Sequence, residues 1–327
     1  MIKNYLLFIF LAVASCSNQS EQLRAAGPVF GTTYSILYES DENYETAFDS
    51  LFFEINRSLS TYLPSSDISK VNANEMVVTD HHFEKVFNTS KEIFTTTQGK
   101  FDPTIGAVVN AWDFGPEGKI EALDSLKIHE LVLSVGMEKV TLQKGVVSKP
   151  QATRLDFNAI AKGYGVDVIG QFLEANTISN YLIEIGGEIR AKGINTVKNT
   201  PWKVGVQHPN LESDKRYITT LALENESMAT SGTYRKIKFD AEGNRYTHII
   251  DTQTGYPIRS NILTVSVIAQ TCMIADAYAT AIQAMKVEEI SVFLKMHTEL
   301  KVFIAFVTED NQLETEVFNG FPSNYIL

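Results

Sequence analysis

Residues 155–167 read LDFNAIAKGYGVD: an acid closes an apolar stretch, a lysine stands six positions later, and glycines occupy 163 and 165. The segment 153–157 has the character of a strand, and the pattern from 160 to 175 is that of a helix. A strand running into a helix presents unpaired N–H groups at the helix start, where anions are favoured. Lys162, in the first turn or two, would add a mobile positive charge suited to phosphate. Gly163 would let a ligand approach the backbone. The segment is not a P-loop, because the order GxxxxGK[ST] is absent, and GYG does not make the GxGxxG dinucleotide fingerprint. On spacing alone, a helix with a solvated lysine fits as well.

Outward from this segment the pattern is mixed. Residues 32–38 have strand character. Residues 44–59 place Phe48, Leu51, Phe52, Ile55 and Leu59 at helical spacing. A second helix is expected over 82–97. After it, GKFDPTIG reads as a turn, with Pro103 near the start of a helix running towards Trp112. Residues 124–134 read as a helix, and 139–143 with 146–148 as a hairpin. A strand over 180–185 ends at Gly186-Gly187. Short strands dominate from 202 to 250 (202–207, 217–224, 234–239 and 246–250), and 263–269 is another. Helices over 273–286 and 287–297 precede strands at 301–307 and 313–318. Strands in runs with helices grouped between them predict an α+β fold of antiparallel sheets, not a repeating βαβ unit. No boundary cuts the chain, so 27–327 reads as one domain.

The N-terminus is MIKNYLLFIFLAVASC, with Lys3 before an apolar stretch over 5–15. That stretch is too short for a bilayer, which needs about twenty residues. Small residues at 14 and 15 suit processing, and the following Cys16 makes VASC a lipobox. The expectation is a signal peptide over 1–15, lipidation at Cys16, and a polar tether over 16–26. Two or more acyl chains give stable anchoring. The chain carries a formal charge of −11, with no compensating basic stretch, which argues against nucleic-acid binding. Cys272 is the only other cysteine. It leaves no internal disulfide and no cysteine-based metal site, and its apolar surroundings assign it to packing.

Several short stretches could carry chemistry. Asp276 and Thr280 lie four apart on one face of an expected helix, and their hard oxygens suit Mg²⁺ or Ca²⁺. The neighbouring Ala, Ile and Met residues bury that helix, and an unpaired carboxylate there would be costly. Gly186-Gly187 marks a bulge or a backbone passing close to a ligand. His248 precedes an apolar pair, an arrangement more often structural than catalytic. Tyr62 stands in a Pro/Ser loop where its ring could stack on a planar ligand. KFDPT (100–104) offers an aromatic, a carboxylate and a helix-starting proline.

Taken together and in this order, FGTTY (30–34), STYLPSSDISKVN (60–72), GKFDPT (99–104), LDFNAIAKGYGVD, EIGGEIRAKG (184–193), TSGTY (230–234), HIIDTQTGYP (248–257) and DAYATA (276–281) resemble the ApbE-type FAD:protein FMN transferases. The resemblance spans residues 31–285. It implies an ApbE-like fold, FAD as substrate, and a divalent cation, Mg²⁺ with Ca²⁺ or Mn²⁺ as alternatives. It also implies transfer of FMN to a threonine or serine hydroxyl of another protein, with AMP leaving. Carried over residue by residue, Asp156 and Lys162 contact FAD. The backbone carbonyl of Ala159, with Asp276 and Thr280, holds the metal. Tyr62, Lys100, Phe101, Asp102 and Ile250 lie along the FAD, and His248 near the reacting phosphate is the candidate base. Phe30 takes the place of a family methionine at the FAD site, where it would keep the apolar contact, Thr252 that of a proline, and Thr233 that of an acid. The implied acceptor is a subunit of an exported flavin-dependent redox complex, and the lipobox places the protein in a bacterial cell envelope. Rival readings are a metal-dependent FAD pyrophosphatase using the same site, a non-catalytic FAD-binding lipoprotein, and an importer's solute-binding lipoprotein. The last lacks its usual two-lobed α/β pattern here.

Overall fold

A computed structural model of the chain describes residues 21–120, 123–210, 213–233, 237–239 and 245–325. The expected signal peptide and Cys16 lie outside the described residues. Eight strands form the central sheet: β1 (Gln22–Val29), β2 (Thr32–Glu39), β3 (Tyr181–Ile185), β4 (Glu188–Lys192), β5 (Ser227–Gly232), β6 (Ile262–Ala269), β7 (Lys301–Val307) and β8 (Leu313–Phe318). Each lies antiparallel beside its neighbour in sequence. The sheet is therefore a meander, and the other elements are inserted in its connections, save a short last strand at Asn324–Tyr325.

Six helices fill the connection from β2 to β3: α1 (Glu45–Leu59), α2 (Asp67–Asn72), α3 (His81–Thr96), α4 (Gly106–Ala111), α5 (Ser125–Val132) and α6 (Ala161–Ala175). Two more, α7 (Cys272–Gln283) and α8 (Val287–Met296), link β6 to β7. A four-stranded sheet of Ile194–Asn195, Thr200–Gln207, Tyr217–Leu223 and the terminal Asn324–Tyr325 covers the other face. The alternation of a strand sorts the two cores. In β7, Val302 and Ile304 face the helices, while Phe303 and Ala305 face the small sheet beside Trp202 and Leu221. Both faces of β7 are buried, which is why its sequence, KVFIAFV, is almost continuously apolar. Each such fully buried large side chain contributes roughly 1.5–3 kcal/mol.

The antiparallel α+β expectation holds, with three corrections. First, β1 starts at Gln22, so 22–26, expected as tether, form an edge strand paired with β2. Second, residues 153–157 run extended but are not a strand of any sheet. Asn72 supplies a backbone's worth of pairing through its side-chain amide, accepting from Leu155 N–H (2.7 Å) and donating to Leu155 O (2.8 Å). Asp156 N–H and Arg154 O pair with Pro103 and Gly106. Third, the Pro/Ser loop at 60–72 closes in a helix, α2, capped by Ser66 Oγ accepting from Ser69 N–H.

The β1–β2 turn has only Phe30 and Gly31 between paired strand ends, with φ of 48° and 73°. Positive φ at both positions is a hairpin turn that favours Asn-Gly. A phenylalanine there is strained, and packing holds it. Its ring meets Phe52 edge-on at 5.6 Å, and a Cβ on Gly165 would come 2.7 Å from Phe30 Cε2. Gly165 is thus the floor under Phe30.

Candidate active site

The site is built where α6 crosses α7. A Cβ on Gly163 would stand 2.3 Å from the Cys272 carbonyl oxygen and 2.8 Å from Asp276 Cβ. The glycine expected to admit a ligand admits the neighbouring helix instead. Its N–H donates to Asp276 Oδ2 at 3.0 Å. Gly163 is the third residue of α6, so Asp276 caps one of the N–H groups that the first turn of a helix leaves without an intrahelical partner.

Lys162 reaches β4, where its Nζ lies 2.5 Å from Glu188 Oε1. Glu188 is 2 % exposed, and among the described residues its buried Oε2 has no hydrogen-bond partner. Burial pushes the Asp276 and Glu188 carboxyls up, and the Lys162 charge pulls both back. Burial alone would lower Lys162, but Asp276 and Glu188 outweigh it and hold the ammonium charged. Two buried carboxyls thus face one ammonium, whose side chain is 31 % exposed and keeps one edge of the group open. Thr280 stands one turn beyond Asp276 on α7, less buried than its neighbours.

Among the described residues no three His, Cys, Asp or Glu side chains cluster as a metal site. Asp276 and Thr280 lie one turn apart on one face of α7, and a carboxylate with a hydroxyl is a donor pair of hard oxygens that fits a divalent cation. The buried Glu188 Oε2, which has no hydrogen-bond partner among the described residues, fits it as well.

Gly163→Ala tests the crossing. Alanine favours a helix over glycine by about 1 kcal/mol, whereas overpacking against a backbone carbonyl costs about 1–3 kcal/mol. The expected result is a lower Tm and lower activity. A Tm at or above that of the parent, with full activity, would show that the crossing gives way without consequence.

Towards Asp156 the surface opens into a cleft of about 210 Å³, lined among others by Thr61, Asn72, Asn110, Arg154 and Asp156. Asp156 Oδ1 accepts from Asn158 N–H at 2.7 Å, which shapes the turn into α6. Tyr62 is 62 % exposed, and its hydroxyl donates weakly to the Phe114 carbonyl at 3.4 Å. Partial burial, then the nearby Asp156 carboxylate, push its phenol up. His248 is half-buried, with its ring edge-on to Phe114 at 6.2 Å. Tyr62, Phe114 and His248 thus form one wall, and Asp156 acts on it through Tyr62.

Ile250 is buried with Val108 and Val135 rather than standing free. The loop after it is pinned where the family's proline is missing: Thr252 Oγ1 donates to the Gly99 carbonyl at 2.6 Å. That bond ties the HIID loop to the Lys100-Phe101-Asp102 turn. Lys100 is half-buried and paired with Glu289 at 3.5 Å. Phe101 is a core residue, 3 % exposed. Asp102 is buried and its Oδ1 accepts from Thr104 N–H (2.8 Å) and hydroxyl (2.6 Å). Burial pushes Asp102 up against these bonds. The side chains of Phe101 and Asp102 therefore shape this turn from inside.

The sequence reading missed Glu188. Its signal is period-two: in EIRAK, Glu188 and Arg190 share the face turned to α6, while Ile189 and Ala191 face the small sheet. Two charges on the inner face of a central strand mark a polar site rather than plain core.

The model of the ApbE family matches residues 30–304. The chain belongs to the ApbE family. It is 34% identical to an FAD:protein FMN transferase of Haemophilus influenzae, over 95% of this chain and 94% of that one. A Vibrio cholerae FAD:protein FMN transferase is 33% identical over 94% and 95%. Among solved structures, the flavin transferase ApbE from Vibrio cholerae superposes with a TM-score of 0.82 at 31% identity, covering 92% of this chain and 98% of that one. The apo form of Pseudomonas stutzeri flavinyl transferase ApbE gives a TM-score of 0.81 at 25% identity, covering 93% and 96%.

Proposed function

We propose that this member of the ApbE family is an FAD:protein FMN transferase that moves FMN to a threonine or serine hydroxyl of an acceptor protein and releases AMP. The observation that carries the reading is the Lys162–Glu188–Asp276 group at the start of α6, where Asp276 also caps Gly163. Such a group suits a diphosphate, whose negative charge must be neutralised and held in line for phosphoryl transfer.

In this reading the adenosine end of FAD enters the cleft at Asp156 and Tyr62, and the flavin end lies along the 248–257 loop. Lys162, kept charged by its two carboxylates, opposes the diphosphate. Asp276, the Thr280 hydroxyl and the Ala159 carbonyl would hold Mg²⁺, or Ca²⁺ or Mn²⁺. When bound, the cation offsets charge on the diphosphate. His248 takes the proton of the acceptor hydroxyl as its oxygen bonds to the FMN phosphorus. The bond from that phosphorus to the bridging oxygen breaks, and the electron pair leaves with AMP. An imidazole suits this role because it exchanges a proton near neutral pH. The VASC leader motif supports lipidation at Cys16 and a place in a bacterial envelope, where an exported flavin-dependent redox complex would supply the acceptor subunit.

Incubation with FAD, Mg²⁺ and a candidate acceptor tests the reading. Covalent flavin on the acceptor supports it; free FMN and AMP would make the protein a pyrophosphatase, and unchanged FAD a binding protein. Lys162→Ala is expected to weaken FAD binding or turnover. Lys162→Arg should restore only part, because a guanidinium fork does not fit the compact pocket shared with Glu188. Equal affinity and turnover in all three proteins would remove Lys162 from the site.

A further inference from the structure

Helices α6 and α7 cap each other. Asp276, on α7, takes the N–H of Gly163 in the first turn of α6. In return Asp167, on α6, accepts from the first two N–H groups of α7: Cys272 to Oδ1 at 3.0 Å and Met273 to Oδ2 at 2.8 Å. Thr271 Oγ1 takes the third, from Ile274, at 3.3 Å. Gly163 and Asp167 are four apart on α6, and Cys272 and Asp276 are four apart on α7, so each pair lies on one helix face. The two helices meet along these faces in a reciprocal arrangement, closed by a glycine at one end and a carboxylate at the other.

Asp167 is 3 % exposed, and Arg190 Nη1 lies 3.0 Å from its Oδ1. Arg190 sits on β4, two residues after Glu188 and on the same face. Its Nη2 and Nε donate to Glu174 Oε1 (2.9 Å) and to the Tyr181 hydroxyl (3.0 Å). One carboxylate thus joins the three elements that carry Lys162, Asp276 and Glu188. Nothing in the proposed chemistry uses Asp167 directly.

We propose that Asp167 is a positioning residue for the cation and diphosphate site. It fixes the axial rotation of α7 against α6, and with it the approach of Asp276 to Gly163 and to the turn at Ala159 that leads into α6. The inference rests on the reading of Asp276 as a cation ligand. Partners outside a metal's own ligands, when lost, weaken metal affinity by about 10–100-fold. Asp167→Asn keeps one oxygen for an N–H but turns an NH₂ towards the other, and it removes the charge that Arg190 meets.

The test is uptake of Mn²⁺ alone, followed by the EPR signal of the free ion, with melting curves alongside. The full chain is compared with Asp167→Asn, Asp167→Glu, Glu174→Gln and Asp276→Ala. Glu174 belongs to the same network but touches no part of α7 in it, so Glu174→Gln is expected to lower Tm and leave Mn²⁺ affinity unchanged. Asp167→Asn is expected to weaken Mn²⁺ affinity on the order of 10–100-fold. Asp167→Glu retains the charge but is longer by one methylene, so it should also bind Mn²⁺ more weakly. It keeps the test open if the asparagine variant does not fold. Parental Mn²⁺ affinity in a folded Asp167 variant, or an equal loss in Glu174→Gln, overturns the inference while the loss in Asp276→Ala leaves the ligand reading standing. Equal uptake by the parent and Asp276→Ala, or none by the parent, overturns the ligand reading and the inference with it.

Discussion

Asp276→Asn is expected to lower FMN transfer on the order of 10²–10³-fold while leaving the protein as stable as the parent or more so. The two halves of this expectation have one cause. Asp276 is 5 % exposed, and burial already opposes its charge. A buried carboxylate costs free energy unless it is well paired, and here it competes with Glu188 for the single ammonium of Lys162. Asparagine has the same shape and keeps an oxygen for the Gly163 N–H, so the crossing of α6 and α7 survives. What disappears is the negative charge that would hold a cation, and with it the means to offset charge on the diphosphate. Raising Mg²⁺ should not restore turnover to the parental level. Melting temperature and transfer rate, measured across a Mg²⁺ series at saturating FAD, check both halves. Parental turnover at low Mg²⁺ would remove Asp276 from the ligand set. A collapse of Tm would make its bond to Gly163, and not its charge, the reason it is there.

Much of the scaffold was legible in local pattern. The apolar periodicity of α1 and α3, the apolar runs of β6 and β7, and the helical stretch after Lys162 are properties of short windows, and the structure places elements there. The central strands β4 and β5 were harder. EIRAK alternates, but its charges lie on a buried inner face, and SMATSG is small and polar, so neither reads plainly as a central strand. The opposite error arose at 153–157, whose strand-like sequence pairs with the side chain of Asn72, far away in the chain. Gly163 was misread for a related reason. A sequence shows that a Cβ is missing, not what occupies the space, and here the occupants are Cys272 and Asp276. Glu188 and Asp167 derive their roles wholly from tertiary partners. Thr252 stands where the family has a proline, and its hydroxyl supplies a tether to Gly99 that proline could not make.

The second large effect is expected at His248. His248→Asn should reduce turnover by about 10²–10⁴-fold, the usual contribution of a general base, while FAD binds with nearly parental affinity. The placement of the ring motivates this split. His248 leaves the strand Arg245–Thr247 half-buried, edge-on to Phe114, in the wall that Tyr62 completes. Ile249 and Ile250, which follow it, are both buried, so the loop's position is set by apolar packing and by the Thr252 bond to Gly99. Removing the imidazole therefore leaves the scaffold of the flavin side in place. Asparagine has a polar side chain of similar reach but cannot accept a proton at neutral pH, so only the proton-transfer role is lost. Titration of flavin fluorescence reads the affinity, and covalent flavin on an acceptor reads the transfer. If affinity falls as far as turnover, His248 is a binding or structural residue, and the loss belongs to the wall it shares with Phe114. If turnover persists, the hydroxyl is activated by another group, and the buried, orphaned oxygen of Glu188 becomes the next to examine.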